Sequence, residues 1–250
     1  MQFSRTRDAR VFSSPFCAGY WKCAAAELKD LRVLIFAALI IAIRVALKSV
    51  YIPVGENVNI YVGFIFTALG GSVYGPVVAL IVGMITDLLG VAFFPVGPFH
   101  PAWTLLEMFT TFLYALGLYR QKITFGRIFL TKFSVNFLGN ILGESALMAA
   151  LYGKGIFAYL AIRVLKNVIM LPFEVIILSL IFGALMIPLT RLKIYAPQQN
   201  ALKLSWKHYV ILGVITAVAV LLSVFALLNY ETCKETLKTF FASLKEFFAS

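Results

Sequence analysis

The stretch FAALIIAIRVALKS, Phe36–Ser49, decides the fold. It is apolar enough to sit in a bilayer, yet it carries Arg44 and Lys48 one helical turn apart and Ala38, Ala42 and Ala46 at every fourth position. Adjacent residues on a helix turn by about 100°. Arg44 therefore stands about 200° from Ala42, nearly the opposite face, and Lys48 stands in the same relation to Ala46. Such a helix has two faces with two uses. Small residues let another helix approach closely. An ionisable group inside a bilayer costs about 2.5–3.5 kcal/mol on insertion scales, so it marks function. A plainer reading stands beside this one: Lys48 snorkels outward and the alanines pack within the bundle.

The surrounding chain agrees with a membrane setting. Of its 250 residues, 61% are hydrophobic and 13% are charged, where a soluble domain carries about 25% charged residues. Several apolar runs approach the roughly 20 residues that cross a bilayer as a helix, and in lipid the backbone must bond within helices. The expected fold class is an all-α integral membrane protein, a six-helix bundle with a seventh, C-terminal transmembrane helix. The expected spans run from Leu31 to Val50, Ile60 to Tyr74, Gly75 to Phe93, Pro101 to Tyr119, Ile128 to Leu151, Ile156 or Val164 to Leu189, and His208 to Tyr230. The second and third are short and Gly-rich. They meet at the turn SVYGP, where Pro76 opens the next helix. The domain reading is a basic N-terminal tail 1–30, a six-helix substrate-binding membrane domain 31–193, a basic linker 194–207, an extra transmembrane helix 208–230 and an amphipathic tail 231–250.

The net charge of +11 reads as loop charge, because Lys and Arg gather on the cytoplasmic side of membrane helices. No aromatic-basic cluster points to nucleic acid. The N-terminal tail, the segment with Arg120, Lys122 and Arg127, and the segment with Arg191, Lys193, Lys203 and Lys207 fall on one side if six spans alternate. That side is the cytoplasm, and the seventh span then places the C-terminus outside. The tail puts Phe240, Leu244, Phe247 and Phe248 on one helical face, which suits either an interfacial helix or a partly ordered end. Cys17, Cys23 and Cys233 are odd in number and lack zinc spacing. Cys17 and Cys23 read as reduced thiols. The first 30 residues show no early apolar core or cleavage site, so the chain start is read as the mature start.

Placed by depth, the polar residues converge. Arg44 and Lys48, Asp87, Trp103 and Glu107, Asn140 and Glu144, and Arg163 and Asn167 all fall in the outer half of their spans. Asn136, Asn140 and Glu144 are four apart and make one stripe. With Lys166 and Glu174 the set holds four cations and four carboxylates. This is a cup open to the outside, fit for a polar, zwitterionic or anionic small molecule with hydrogen-bonding rings. The ligand candidates are Arg44, Lys48, Trp103, Glu107, Asn140, Glu144, Arg163 and Asn167. Asp87 reads better as paired with a backbone amide or a neighbouring Arg, and Asn136 as structural glue; Glu174 reads equally as a ligand residue or a helix–helix hydrogen bond, and Lys166 as a snorkelling cation. Trp103 either stacks on a ligand ring or joins an interfacial belt. The loop FFPVGPFHP covers the cup, with His100 as a loop residue. No nucleophile–base spacing, metal-ligand spacing or phosphate-binding loop occurs. No catalytic residue, metal or cofactor is expected.

Four stretches carry a resemblance: YWKCAAAELKDLRVLIFAALIIAIRVALKS, IPVGENVNIYVGFIFTALGGSVYGPVVALIVGMITDLLG, FFPVGPFHPAWTLLEMFTTFLYALGLYR and LYGKGIFAYLAIRVLKNVIMLPFE. In order and spacing, over most of residues 20–193, the chain resembles the substrate-binding S components of energy-coupling factor (ECF) vitamin transporters, the folate family above all. The resemblance implies a non-catalytic, multi-pass subunit of the bacterial cell membrane. Such a subunit captures an extracellular vitamin and works with a membrane scaffold, the T component, and two cytoplasmic ABC-type ATPases. It is thought to topple in the bilayer to release its vitamin inside. It also implies that Ala38, Ala42 and Ala46 form the T-component docking face. The seventh span and tail lie beyond the family's six-helix core. Other readings are an S component for another vitamin or precursor (pantothenate, a queuosine precursor), a small intramembrane lipid-modifying enzyme, or a structural subunit whose charges only pair.

Overall fold

The computed structural model describes residues 11–12, 14–49, 51–55, 58–95, 99–152, 156–191 and 214. The expected linker, seventh span and amphipathic tail fall outside the described residues, as does the first part of the N-terminal tail. The chain forms two compact units. One comprises Met1–Thr131 with Ile177–Lys203, the other Lys132–Ile176 with Leu204–Ser250.

The first unit opens with α1 (Ala18–Ala26) and a 3-10 turn at Glu27–Lys29, so part of the N-terminal segment is folded. Tyr20 and Ala24 of α1 bury against Tyr119, with Phe12, Val77 and Leu116 packed around them. The Tyr20 and Tyr119 rings meet edge to face, 5.4 Å between centroids. Burial pushes the Tyr20 phenol above the ordinary tyrosine range, although the nearby Arg127 charge opposes this.

Helix α2 (Leu31–Leu47) starts where Asp30 accepts the Arg32 backbone N–H at 3.0 Å, a side-chain N-cap. It ends at Leu47, three residues before the expected Val50, with Lys48 at its C-cap. Its inner face, Val33, Ala37 and Ile40, joins Tyr74, Val78, Ala79, Val82 and Ala115 in the main core of the unit. Its outer face leaves Leu31, Leu34, Ile35 and Leu39 exposed.

An antiparallel hairpin follows, β1 (Tyr51–Gly55) with β2 (Val58–Tyr61), pairing Tyr51 with Tyr61 and Ile52 with Ile60. The expectation of an all-α bundle holds for the long elements and did not include this hairpin. It also displaces the second span: helix begins at Phe64 rather than Ile60. Helix α3 (Phe64–Phe93) covers both the second and third expected spans. Gly75 interrupts it at φ 74° and ψ 175°, directly before Pro76. That backbone region is close to glycine-only, so the SVYGP break sits where the sequence puts it. Helix α4 (Pro101–Leu118) opens with Pro at its first position and His100 as cap, whose Nδ1 accepts the Ala102 N–H at 3.2 Å. Helices α3 and α4 approach closely at glycine. A Cβ at Gly83 would stand 2.8 Å from the Met108 Cα, and one at Gly71 2.9 Å from the Ala115 nitrogen.

A continuous helical stretch then carries the chain into the second unit: α5 (Phe125–Ser134), a π-helical segment (Val135–Gly143) and α6 (Glu144–Tyr152). A nine-residue π segment is unusual, and such segments concentrate at functional sites. Helix α7 (Ile156–Arg191) contributes to both units. Phe64–Phe93 and Lys166–Leu185 are long and apolar enough to cross a membrane. Exposed apolar side chains such as Phe129, Leu130, Phe133, Leu138, Leu142, Val168 and Leu180 line the outer surfaces, as lipid contact requires.

Candidate ligand-binding site

Four of the eight expected ligand residues fall in each unit: Arg44, Lys48, Trp103 and Glu107 in the first, Asn140, Glu144, Arg163 and Asn167 in the second.

In the first unit, α2 turns Arg44 inward, 7% exposed, where it forms an ion pair with Glu107 of α4. Its Nη1 is buried with no partner among the described residues. One turn on, Lys48 reaches across α3 to Asp87, Nζ to Oδ1 3.2 Å. The other oxygen of Asp87 accepts from the Thr104 hydroxyl at 2.8 Å. Asp87 thus pairs with Lys48 and Thr104, where the sequence suggested a backbone amide or a neighbouring Arg. The Lys48 side chain lies directly over Gly90, so any Cβ there would collide with it. Trp103 is half-buried in the first turn of α4, four residues before Glu107. The covering loop is described at Phe93–Pro95 and Phe99–Pro101, while residues 96–98 lie outside the described residues.

In the second unit, Arg163 of α7 forms an ion pair with Glu144 at the start of α6. The amides join below them. Asn140 Nδ2 donates to Asn167 Oδ1 at 3.2 Å and to Asn136 Oδ1 at 3.1 Å. Asn136 Nδ2 donates to Glu174 Oε2 at 2.9 Å, and Lys132 Nζ lies 3.0 Å from Glu174 Oε1. Asn167 Nδ2 donates to the Arg163 carbonyl at 2.9 Å. The expected helix–helix role of Asn136 and Glu174 is therefore visible as contacts. Lys132 is the residue that sequence reasoning missed. It is 2% exposed, although it reads as an ordinary basic residue near a helix start. Its spacing carried the signal, since Lys132, Asn136, Asn140 and Glu144 are each four apart.

A separate cluster occupies the far end of α4. Glu27 Oε1 accepts from the Tyr119 hydroxyl at 2.7 Å and from Arg120 Nη2 at 3.0 Å, all three residues being buried. Arg120, counted from sequence among the loop cations, is 6% exposed and has a left-handed backbone at φ 46°. Burial works against its charge, and the neighbouring Tyr119 and Glu27 more than offset this, raising its pKa. Cys17 and Cys23 are free thiols.

No protein-family profile matches the chain. It is similar to the folate transporter FolT of Clostridium novyi (strain NT), 29% identical over 160 residues that cover 63% of this chain and 90% of that protein. It is also similar to the folate transporter FolT of Leuconostoc mesenteroides subsp. mesenteroides, 25% identical over 174 residues, 67% of this chain and 93% of that one. Among solved structures, a crystal structure of FolT bound with folic acid matches with a TM-score of 0.55 and 26% identity, over 60% of this chain and 91% of the other. The matched lengths are close to a whole FolT and leave between 33% and 40% of this chain outside the similarity. These relatives, with two bilayer-length helices and an apolar exterior, support the assignment of this membrane protein to the ECF S components, folate family.

Proposed function

We propose that this protein captures folate from outside the cell and delivers it inward as the S component of an ECF transporter. The observation that carries the reading is the fold shared with a FolT holding folic acid, joined to the buried and half-buried cations and amides of α2, the π-helical segment and α7. Folate presents a flat, hydrogen-bonding pteridine and a glutamate tail with two carboxylates. Arg44, Lys48 and Arg163 are cations of the kind that hold carboxylates through charge-assisted bonds. Asn140 and Asn167 suit a heterocycle edge, and Trp103 suits stacking on a ring. Glu107 and Glu144 serve as counter-charges and acceptors.

In this proposal six helices form the vitamin-binding membrane domain and a seventh span follows, with the N-terminus in the cytoplasm, and the chain itself hydrolyses nothing. A T component and two ATPases supply the energy. The strip Ala38, Ala42 and Ala46, exposed on α2, is the face for the T component, because methyl-only surface permits close and sliding helix contact. Isothermal titration of the detergent-purified protein with folic acid, without ATP or metal, tests the capture step. Heat of binding supports it. A response to pantothenate or a queuosine precursor instead would reassign the vitamin, and silence across a vitamin panel would remove the capture reading altogether.

A further inference from the structure

The hydrogen-bonded chain in the second unit has a direction. An ionised carboxylate only accepts, so Glu174, neutralised by Lys132 at 3.0 Å, is its fixed end. Asn136 must turn its NH2 to Glu174 and its carbonyl the other way. That carbonyl accepts from Asn140, which must then turn its own NH2 toward Asn136. The same NH2 also serves Asn167. Both hydrogens of the Asn140 amide are consumed within the chain, which leaves its Oδ1 as an acceptor. A free asparagine can flip and offer either a donor or an acceptor. This one cannot, because flipping would set two carbonyl oxygens against each other at Asn136 and again at Asn167.

We infer that Glu174, with Lys132 as its counter-charge, is a specificity-determining positioning residue that fixes Asn140 as a hydrogen-bond acceptor, so that the site selects a ligand edge carrying N–H donors. A 2-amino-4-oxopteridine presents such an edge, with its 2-amino group and N3–H side by side. A heterocycle with an acceptor at that place meets the Asn140 oxygen and is rejected. The inference rests on the proposal that Asn140 contacts folate. It adds two residues, Glu174 and Lys132, that touch no ligand.

The test compares folic acid with its 2-desamino-2-methyl analogue, which lacks the 2-amino donor, by titration calorimetry on the full chain in detergent. The unaltered protein is expected to prefer folic acid by at least tenfold in Kd. Glu174→Gln keeps the shape but offers donors as well as acceptors, so the chain can run either way. The preference should narrow to about threefold or less, and Glu174→Asp should restore much of it. Asn136→Leu cuts the link above Glu174 and should narrow the preference likewise, which keeps the test open should Glu174→Gln fail to fold. A purely structural Glu174 would weaken both ligands equally and leave the ratio at its original value; that result overturns the inference. Equal binding of both compounds by the unaltered protein also overturns it, while leaving folate capture intact. Absence of folic acid binding by the unaltered protein removes the folate proposal and the inference together.

Discussion

Arg44 and Ala42 stand two residues apart on α2 and face opposite surroundings: the Arg44 side chain is buried against Glu107, and Ala42 is exposed with Ala38 and Ala46. The two faces can therefore be altered one at a time. Arg44→Ala should weaken folic acid binding by roughly tenfold to a hundredfold, the loss of a charged hydrogen bond worth about 1.5–3 kcal/mol. Calorimetry gives the number, and an unchanged Kd would reduce Arg44 to an internal ion pair.

Ala42→Leu should have the reverse pattern. Folic acid affinity stays within about twofold, and co-purification of a T component and two ATPases is lost because the larger side chain blocks close helix approach. Affinity purification from cells expressing all the subunits measures this. Loss of folate binding with retention of the partners would invert the assignment of the two faces.

Gly90 offers a subtler probe of Lys48. The lysine lies over position 90, where a side chain would push it aside. Gly90→Leu should preserve the apolar character of α3, push Lys48 away from Asp87 and lower folic acid affinity about tenfold, or about 1.4 kcal/mol. Pteroate, which lacks the glutamate tail, should be affected far less if Lys48 serves a tail carboxylate. Equal losses for both compounds would place the damage elsewhere.

At Gly75 the prediction concerns stability. The backbone there lies at φ 74° and ψ 175°, and a Cβ would stand 3.0 Å from the Tyr119 ring. Gly75→Ala should cost about 1–3 kcal/mol in backbone strain alone. A thermal melt in detergent should show a clear drop in Tm, and a melt unchanged from the parent would mean that the two arms of α3 do not need this break.

The Glu27 cluster ties α1 to the end of α4 away from the proposed ligand residues of the first unit. Removing one member of a buried ion pair costs about 3–5 kcal/mol. Glu27→Ala should therefore lower Tm markedly and leave folic acid affinity unchanged in the protein that remains folded. Glu27→Gln should recover part of the loss, because its amide oxygen still accepts from Tyr119. Equal melts for all three proteins would show that this cluster fastens nothing.

Much of the first unit is legible in the chain. The two faces of α2 follow from helical spacing alone, and the break at SVYGP follows from Gly75 and Pro76. What spacing could not reveal was local geometry that depends on contacts. Ile52 and Ile60 pair across a hairpin that the apolar pattern around Ile60 disguises as helix. The π segment between Ser134 and Glu144 leaves no mark in composition. Arg120 reads as a loop cation because its partner, Glu27, lies 93 residues earlier. In the candidate site the chain announces which polar residues are too costly to be accidental. It does not announce their partners: Glu174 has Lys166 nearer in sequence, yet Lys132 holds it.

The pairing of Arg44 with Glu107 and of Arg163 with Glu144 has a consequence for the protein before any ligand arrives. Each of these two cations has its counter-ion on a neighbouring helix. Under the proposed function, an anionic ligand at either pair does not meet a bare cation; it must displace or share with a resident carboxylate. Only a ligand that supplies several contacts together can make that exchange favourable.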